Sequence, residues 1–148
     1  MITDFRHACV VVARLDRSLR FYRDMLGLKV VKMIDLAGEY PERVFNIKGI
    51  KLTYVKLRAP GKPQKSIPVF ELHCWKKPRI KAAKGYNHIS FSVRNLGYEY
   101  RRLCKAGVRF ISAPVKAADG SSSICFAYDP DGNLIEFVEE LKKVGFHR

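Results

Sequence analysis

Two histidines and two glutamates, His7, His88, Glu71 and Glu136, stand at corresponding points of a chain that repeats itself. His7 lies in a strand-like run from Phe5 to Val12, and His88 in a second such run from Tyr86 to Val93. Gly27 follows His7 by twenty residues, and Gly107 follows His88 by nineteen. Each copy later places one Glu inside an apolar strand: Glu71 between Phe70 and Leu72, and Glu136 between Ile135 and Phe137. Successive strand residues face opposite ways, so the apolar neighbours would pack on a core while the four polar groups point to the other face. A carboxylate in such a place is costly unless it is paired or ligated. Two neutral imidazoles and two carboxylates balance a dication, and this N2O2 set with open positions suits Fe, Mn, Ni, Co or Zn. Four separately satisfied polar residues are the alternative. Recurrence of both residue types in both copies favours one divalent metal ion.

The elements that must position these groups follow the same repeat. In the first copy, period two puts His7, Cys9 and Val11 on one face of a strand. Asp16 can cap a helix carrying Leu19, Tyr22 and Leu26 on one stripe, with Gly27 closing it. A strand over Leu28 to Leu36, an irregular or part-helical excursion over Gly38 to Gly49, and strands over Ile50 to Leu57 and Ile67 to Trp75 complete it. The second copy predicts a strand over Tyr86 to Val93, a helix over Leu96 to Ala106, and strands over Val108 to Ser112, Ser122 to Tyr128 and Asn133 to Glu139. The turn from Asp129 through Pro130, Asp131 and Gly132 is a hairpin signal, since Pro presets one dihedral and Gly supplies the positive one. Each half is therefore βαβββ, and the fold class is α+β. The expected organisation is one domain, with a first module over residues 4–76, a linker over 77–84, a second module over 85–141 and a basic tail over 142–148.

Composition narrows the class. At 148 residues and 47% hydrophobic content the chain suffices for one cored domain. No apolar run approaches the roughly 20 residues that cross a bilayer, and the start of the chain lacks a secretory apolar region, which predicts a cytoplasmic protein without a membrane partner. Cys9, Cys74, Cys104 and Cys125 form no CxxC pair and are read as buried thiols. The net charge of +14 attracts anions. Its basic residues are dispersed and no nucleic-acid-binding motif accompanies them, so a solvated basic surface and a small-molecule substrate are favoured over nucleic acid.

The runs His7 to Val12, Leu15 to Leu28, His88 to Val93 and Asp129 to Glu136 resemble the vicinal oxygen chelate superfamily, which includes glyoxalase I, methylmalonyl-CoA epimerase, extradiol dioxygenases and the fosfomycin and bleomycin resistance proteins. The resemblance implies two tandem βαβββ modules forming a cupped eight-stranded sheet with helices on the outer face, a metal in the cup, and a homodimer. It places the metal ligands at His7, Glu71, His88 and Glu136. Keeping all four ligands resembles an enzyme more than a drug-binding member. Phe126 stands where the dioxygenase pattern has Tyr, so the set looks more like glyoxalase I or the epimerase. Such enzymes are lyases or isomerases in which the ion steadies an enolate or enediolate while Glu136 or Glu71 moves the proton. Alternatives are an extradiol-type dioxygenase, a non-catalytic resistance protein, and a basic accessory domain with a vestigial site.

Substrate contacts are less strongly encoded. Leu52, Tyr54, Lys56 and Arg58 share one strand face; if it lines the cup, Lys56 and Arg58 could hold an anionic group, but exposed edge charges are the favoured reading. His73, two residues beyond Glu71, should face the same way and could touch a ligand or the substrate, with a separately satisfied polar residue as the favoured reading. Arg43, with Tyr40 and Phe45, lies on a segment that could cover a pocket or serve only as a structural loop. Phe126 completes the expected contacts.

Overall fold

A computed structural model describes residues 7–63, 69–79, 88–116 and 122–141, without the side chains of residues 43 and 44. The chain divides into two compact units, Met1–Gly85 and Tyr86–Arg148. Most of the expected linker and the whole basic tail fall outside the described residues.

In the first unit, β1 (His7–Val11) is followed by α1 (Leu15–Leu19), which continues as a π-wound segment over Arg20–Met25. Then come β2 (Lys29–Ala37), α2 (Glu39–Phe45), β3 (Lys51–Arg58) and β4 (Val69–Lys77). Its sheet runs β1-β4-β3-β2, with β1 parallel to β4 and the other pairs antiparallel. One sheet face is apolar for the expected reason. Val10, Val55, Leu57, Phe70 and Leu72 are buried there with Leu19, Phe21 and Tyr22 of the helical segment, and the Tyr22 ring lies 4.8 Å from that of Phe70.

The second unit has β5 (His88–Ser92), α3 (Leu96–Lys105), β6 (Arg109–Phe110), β7 (Val115–Lys116), β8 (Ser122–Tyr128) and β9 (Leu134–Glu140). Its sheet runs β5-β9-β8-β6, with β7 also on β8. The α+β class and the βαβββ order are as expected. The described residues hold nine strands rather than eight, because the two-residue β7 adds a second short pairing to β8.

Three local expectations are corrected. Asp16 does not cap α1: the cap position is Arg14, and the Asp16 carboxylate pairs with the Arg14 guanidinium at 2.8 Å. Leu26 is only half-buried, and Phe21, off the expected stripe, is buried beside Tyr22, because π winding advances less per residue than the 3.6-residue period assumes. Of the four cysteines only Cys125 is buried, with Cys9 and Cys74 half-buried and Cys104 exposed; desolvation pushes the Cys9 and Cys125 thiols up to about 12 and about 11.

The start of α3 is closed from across the sheet. Its cap, Asn95, sits in the left-handed region and accepts from the Tyr98 amide, while the Glu139 carboxylate accepts from the amides of Asn95 and Leu96, both at 2.9 Å. A carboxylate at this end satisfies orphan donors and meets the positive end of the helix dipole. Glu139→Ala is expected to destabilise the protein by about 1–2 kcal/mol. The check is a lower urea midpoint at an unchanged denaturant slope.

Candidate functional site

Register explains why the four repeated residues gather in pairs. On β1 and β4, Cys9 is paired with Glu71; on β5 and β9, Ser90 is paired with Glu136. Each histidine therefore starts two residues before its strand comes level with the glutamate, on the same face. His7 Nε2 lies 3.7 Å from Glu71 Oε2, and His88 Nε2 lies 3.5 Å from Glu136 Oε2. The same pair is built twice by the same offset, on the face away from the apolar core.

The surroundings of the two carboxylates differ. Glu71 is 6% exposed, and Lys56, its cross-strand partner on β3, places Nζ 3.2 Å from Oε1. His73 brings Nε2 to 3.4 Å from Oε2, the oxygen that His7 also approaches. Burial holds the His73 imidazole below its ordinary range, against the pull of the Glu71 charge. Glu136 is 17% exposed, and its cross-strand partner on β8 is Phe126. The Phe126 ring stands edge-on to His88 at 5.2 Å. Val138 occupies the place corresponding to His73. Among the described residues Glu136 pairs with no Lys or Arg.

The remaining expected residues sort as follows. His73 shares the Glu71 face, as its spacing requires. Lys56 is not an edge charge, since its ammonium is committed to Glu71. Arg58 lies two residues further along that face with Lys29 opposite, and its Nε is buried without a hydrogen-bond partner among the described residues. Arg43 lies on α2, but its side chain is outside the described part. That helix is held structurally: Phe45 packs edge-on to Trp75 at 5.1 Å, and Glu42 accepts from the Gly49 amide at 2.8 Å.

The donor chemistry can be tested against a metal. Ligands about 2.0–2.2 Å from a tetrahedral ion stand roughly 3.4 Å apart. The His7–Glu71 and His88–Glu136 separations of 3.7 and 3.5 Å are close to that span, so each unit offers a pair of donors whose spacing fits a divalent ion. Among the described residues no group of three or more His, Cys, Asp or Glu forms a closed set by itself.

Residues 4–137 match the family described as Glyoxalase/Bleomycin resistance protein/Dioxygenase superfamily. A lactoylglutathione lyase of Salmonella typhimurium is 30% identical over 136 residues, which cover 90% of each chain. A probable lactoylglutathione lyase of Synechocystis is 26% identical over 137 residues, 93% of this chain and 95% of its own. A glyoxalase family protein from Bacillus cereus shares the fold with a TM-score of 0.82 at 23% identity, over 96% of this chain and 97% of that one. The trypanothione-dependent glyoxalase I of Leishmania major gives 0.68 at 28% identity, over 94% and 88%. The family match passes through both copies of the unit and through all four paired residues, and the chain thus belongs to the glyoxalase/bleomycin resistance protein/dioxygenase superfamily.

Proposed function

We propose that the protein is a metal-dependent lyase or isomerase of the glyoxalase I or epimerase type, acting on a small, anionic, α-oxygenated substrate through an enolate or enediolate. The observation that carries this reading is the His–Glu pair built at the same register in both units. The relatives named lactoylglutathione lyase support it. His7 and Glu71 supply two donors, and His88 and Glu136 supply two more. When bound, a divalent ion supplies Lewis acidity to the vicinal oxygens of the substrate. The protein acts as a homodimer in the cytoplasm, in keeping with the resemblance.

The rest of the chemistry belongs to side chains. Glu71 has both oxygens engaged, Oε1 by Lys56 and Oε2 by the imidazoles, so it is fixed in place. Glu136, with no Lys or Arg beside it among the described residues, is the carboxylate able to take a proton from the carbon next to the carbonyl and return it. Phe126 lies opposite it on β8, and Val138 follows two residues along β9 on the same face. Arg58 offers an Nε that is buried without a partner among the described residues to an anionic group of the substrate, and burying a donor unpaired is costly until such a group arrives. Arg58→Met is expected to raise KM by roughly 10-fold with little change in kcat, as loss of uniform binding does.

The deciding experiment is elemental analysis of the purified protein, followed by assay of metal-reconstituted enzyme on methylglyoxal–thiol adducts, acyl-CoA epimers and catechols. Turnover of an adduct or an epimer, abolished by chelation and restored by metal, is the expected result. Oxygen uptake with catechols would select ring cleavage instead, and metal-free protein inert to every substrate would remove the enzymatic reading.

A further inference from the structure

Lys56 and Phe126 occupy equivalent places. Each is the cross-strand partner of its unit's glutamate, Lys56 opposite Glu71 and Phe126 opposite Glu136. The repeat is broken there by a full charge. The ammonium is 3.2 Å from Glu71 Oε1, with the Lys56 side chain 29% exposed and that of Glu71 6% exposed. It also lies over the Tyr54 ring, 5.8 Å from the centroid, a second contact of the ammonium on this face. His7 and His73 approach only the other oxygen.

We propose that Lys56 is a charge-setting residue of the metal site, which rests on the functional reading above. Holding Oε1, it leaves Glu71 one oxygen, Oε2, to share with His7 as a ligand. The ammonium offsets the charge of the Glu71 carboxylate, and neutral imidazoles add nothing. With Lys56 in place an ion held by His7 and Glu71 therefore keeps its full positive charge. That excess weakens the hold on the ion, because a like charge stands beside it, and strengthens the hold on anionic ligands. The ligand class it selects is a small anion with adjacent oxygens, and a neutral diol or ketol is disfavoured.

A residue that merely shaped Glu71 would make the opposite prediction for metal, since its loss would loosen the ion. Lys56→Gln keeps an N–H donor for Oε1 without the charge, and Lys56→Arg keeps both. Full-length proteins are stripped of metal, checked for fold by circular dichroism, and titrated with Ni2+ against a competing chelator. The Ni2+ forms are then titrated with oxalate. Lys56→Gln is expected to bind Ni2+ on the order of 10-fold tighter and oxalate on the order of 10-fold more weakly, with Lys56→Arg close to wild type. Unchanged or weaker Ni2+ binding in a folded Lys56→Gln protein overturns the charge role alone and leaves the functional reading standing. Failure of the wild-type protein to take up Ni2+, Fe2+, Co2+, Mn2+ or Zn2+ overturns both. If Lys56→Gln does not fold, Lys56→Met is carried through the same titrations, where the same two shifts are expected and their absence overturns the charge role. Loss of folding in both variants shows a structural counterion and overturns the proposal.

Discussion

Glu136→Gln is expected to lower kcat by about 10²–10⁴-fold, the range that separates a positioned general base from none. The amide has nearly the same shape, so the contact between His88 and Phe126 and the thermal midpoint should be preserved. Only the capacity to accept and return a proton is removed. The direct measurement is exchange of the substrate's α-hydrogen with deuterated solvent, which should slow with turnover while substrate binding persists. Near-wild-type exchange in this variant would sink the assignment and return the proton to Glu71.

Glu71→Gln should fail differently. Its carboxylate is the partner of a half-buried ammonium, so neutralising it leaves Lys56 without a counterion and costs about 1–3 kcal/mol of stability. Metal affinity should fall by more than about 100-fold, beyond the loss typical of residues that only orient a ligand. Urea unfolding and a competition titration read the two effects separately. Combining it with Lys56→Met replaces both charges and should recover most of the lost stability, because a buried ion pair exchanged whole for neutral groups is close to neutral in energy. Without that recovery, the cost lies in packing around Glu71 and not in the stranded charge.

Much of the site was legible in the residues, and the boundary is physical. His7 with Glu71, and His88 with Glu136, could be placed on one face of their sheets because alternation along a strand is dictated by backbone geometry. His73 followed by the same rule. The role of Lys56 was not legible, since it depends on which residue of β3 lies opposite Glu71, and the turn that sets this register falls in a long Pro-rich connection whose length fixes nothing. Had the pairing of Leu57 with Phe70 been known, the ion pair would have followed at once. The carboxylate of Glu139 was invisible as a helix cap for a related reason: it reaches α3 from a strand 43 residues away in sequence. Capping rules see only the neighbours of the helix start.

The widened turn after α1 bears on how the two halves correspond. Leu15 and Leu96, and likewise Tyr22 and Leu103, stand at equal distances from His7 and His88, so the halves are in step down to Tyr22 and Leu103, both buried. Beyond them the first half is one residue longer. The Leu28 amide reaches back to the Tyr22 carbonyl at 3.0 Å, whereas the Val108 amide reaches the Leu103 carbonyl at 2.9 Å across a span one residue shorter. The loose winding absorbs the one-residue difference and leaves both flanking strands in place. Aligning the halves therefore calls for a gap inside the helix, between Tyr22 and Gly27, and not in a loop.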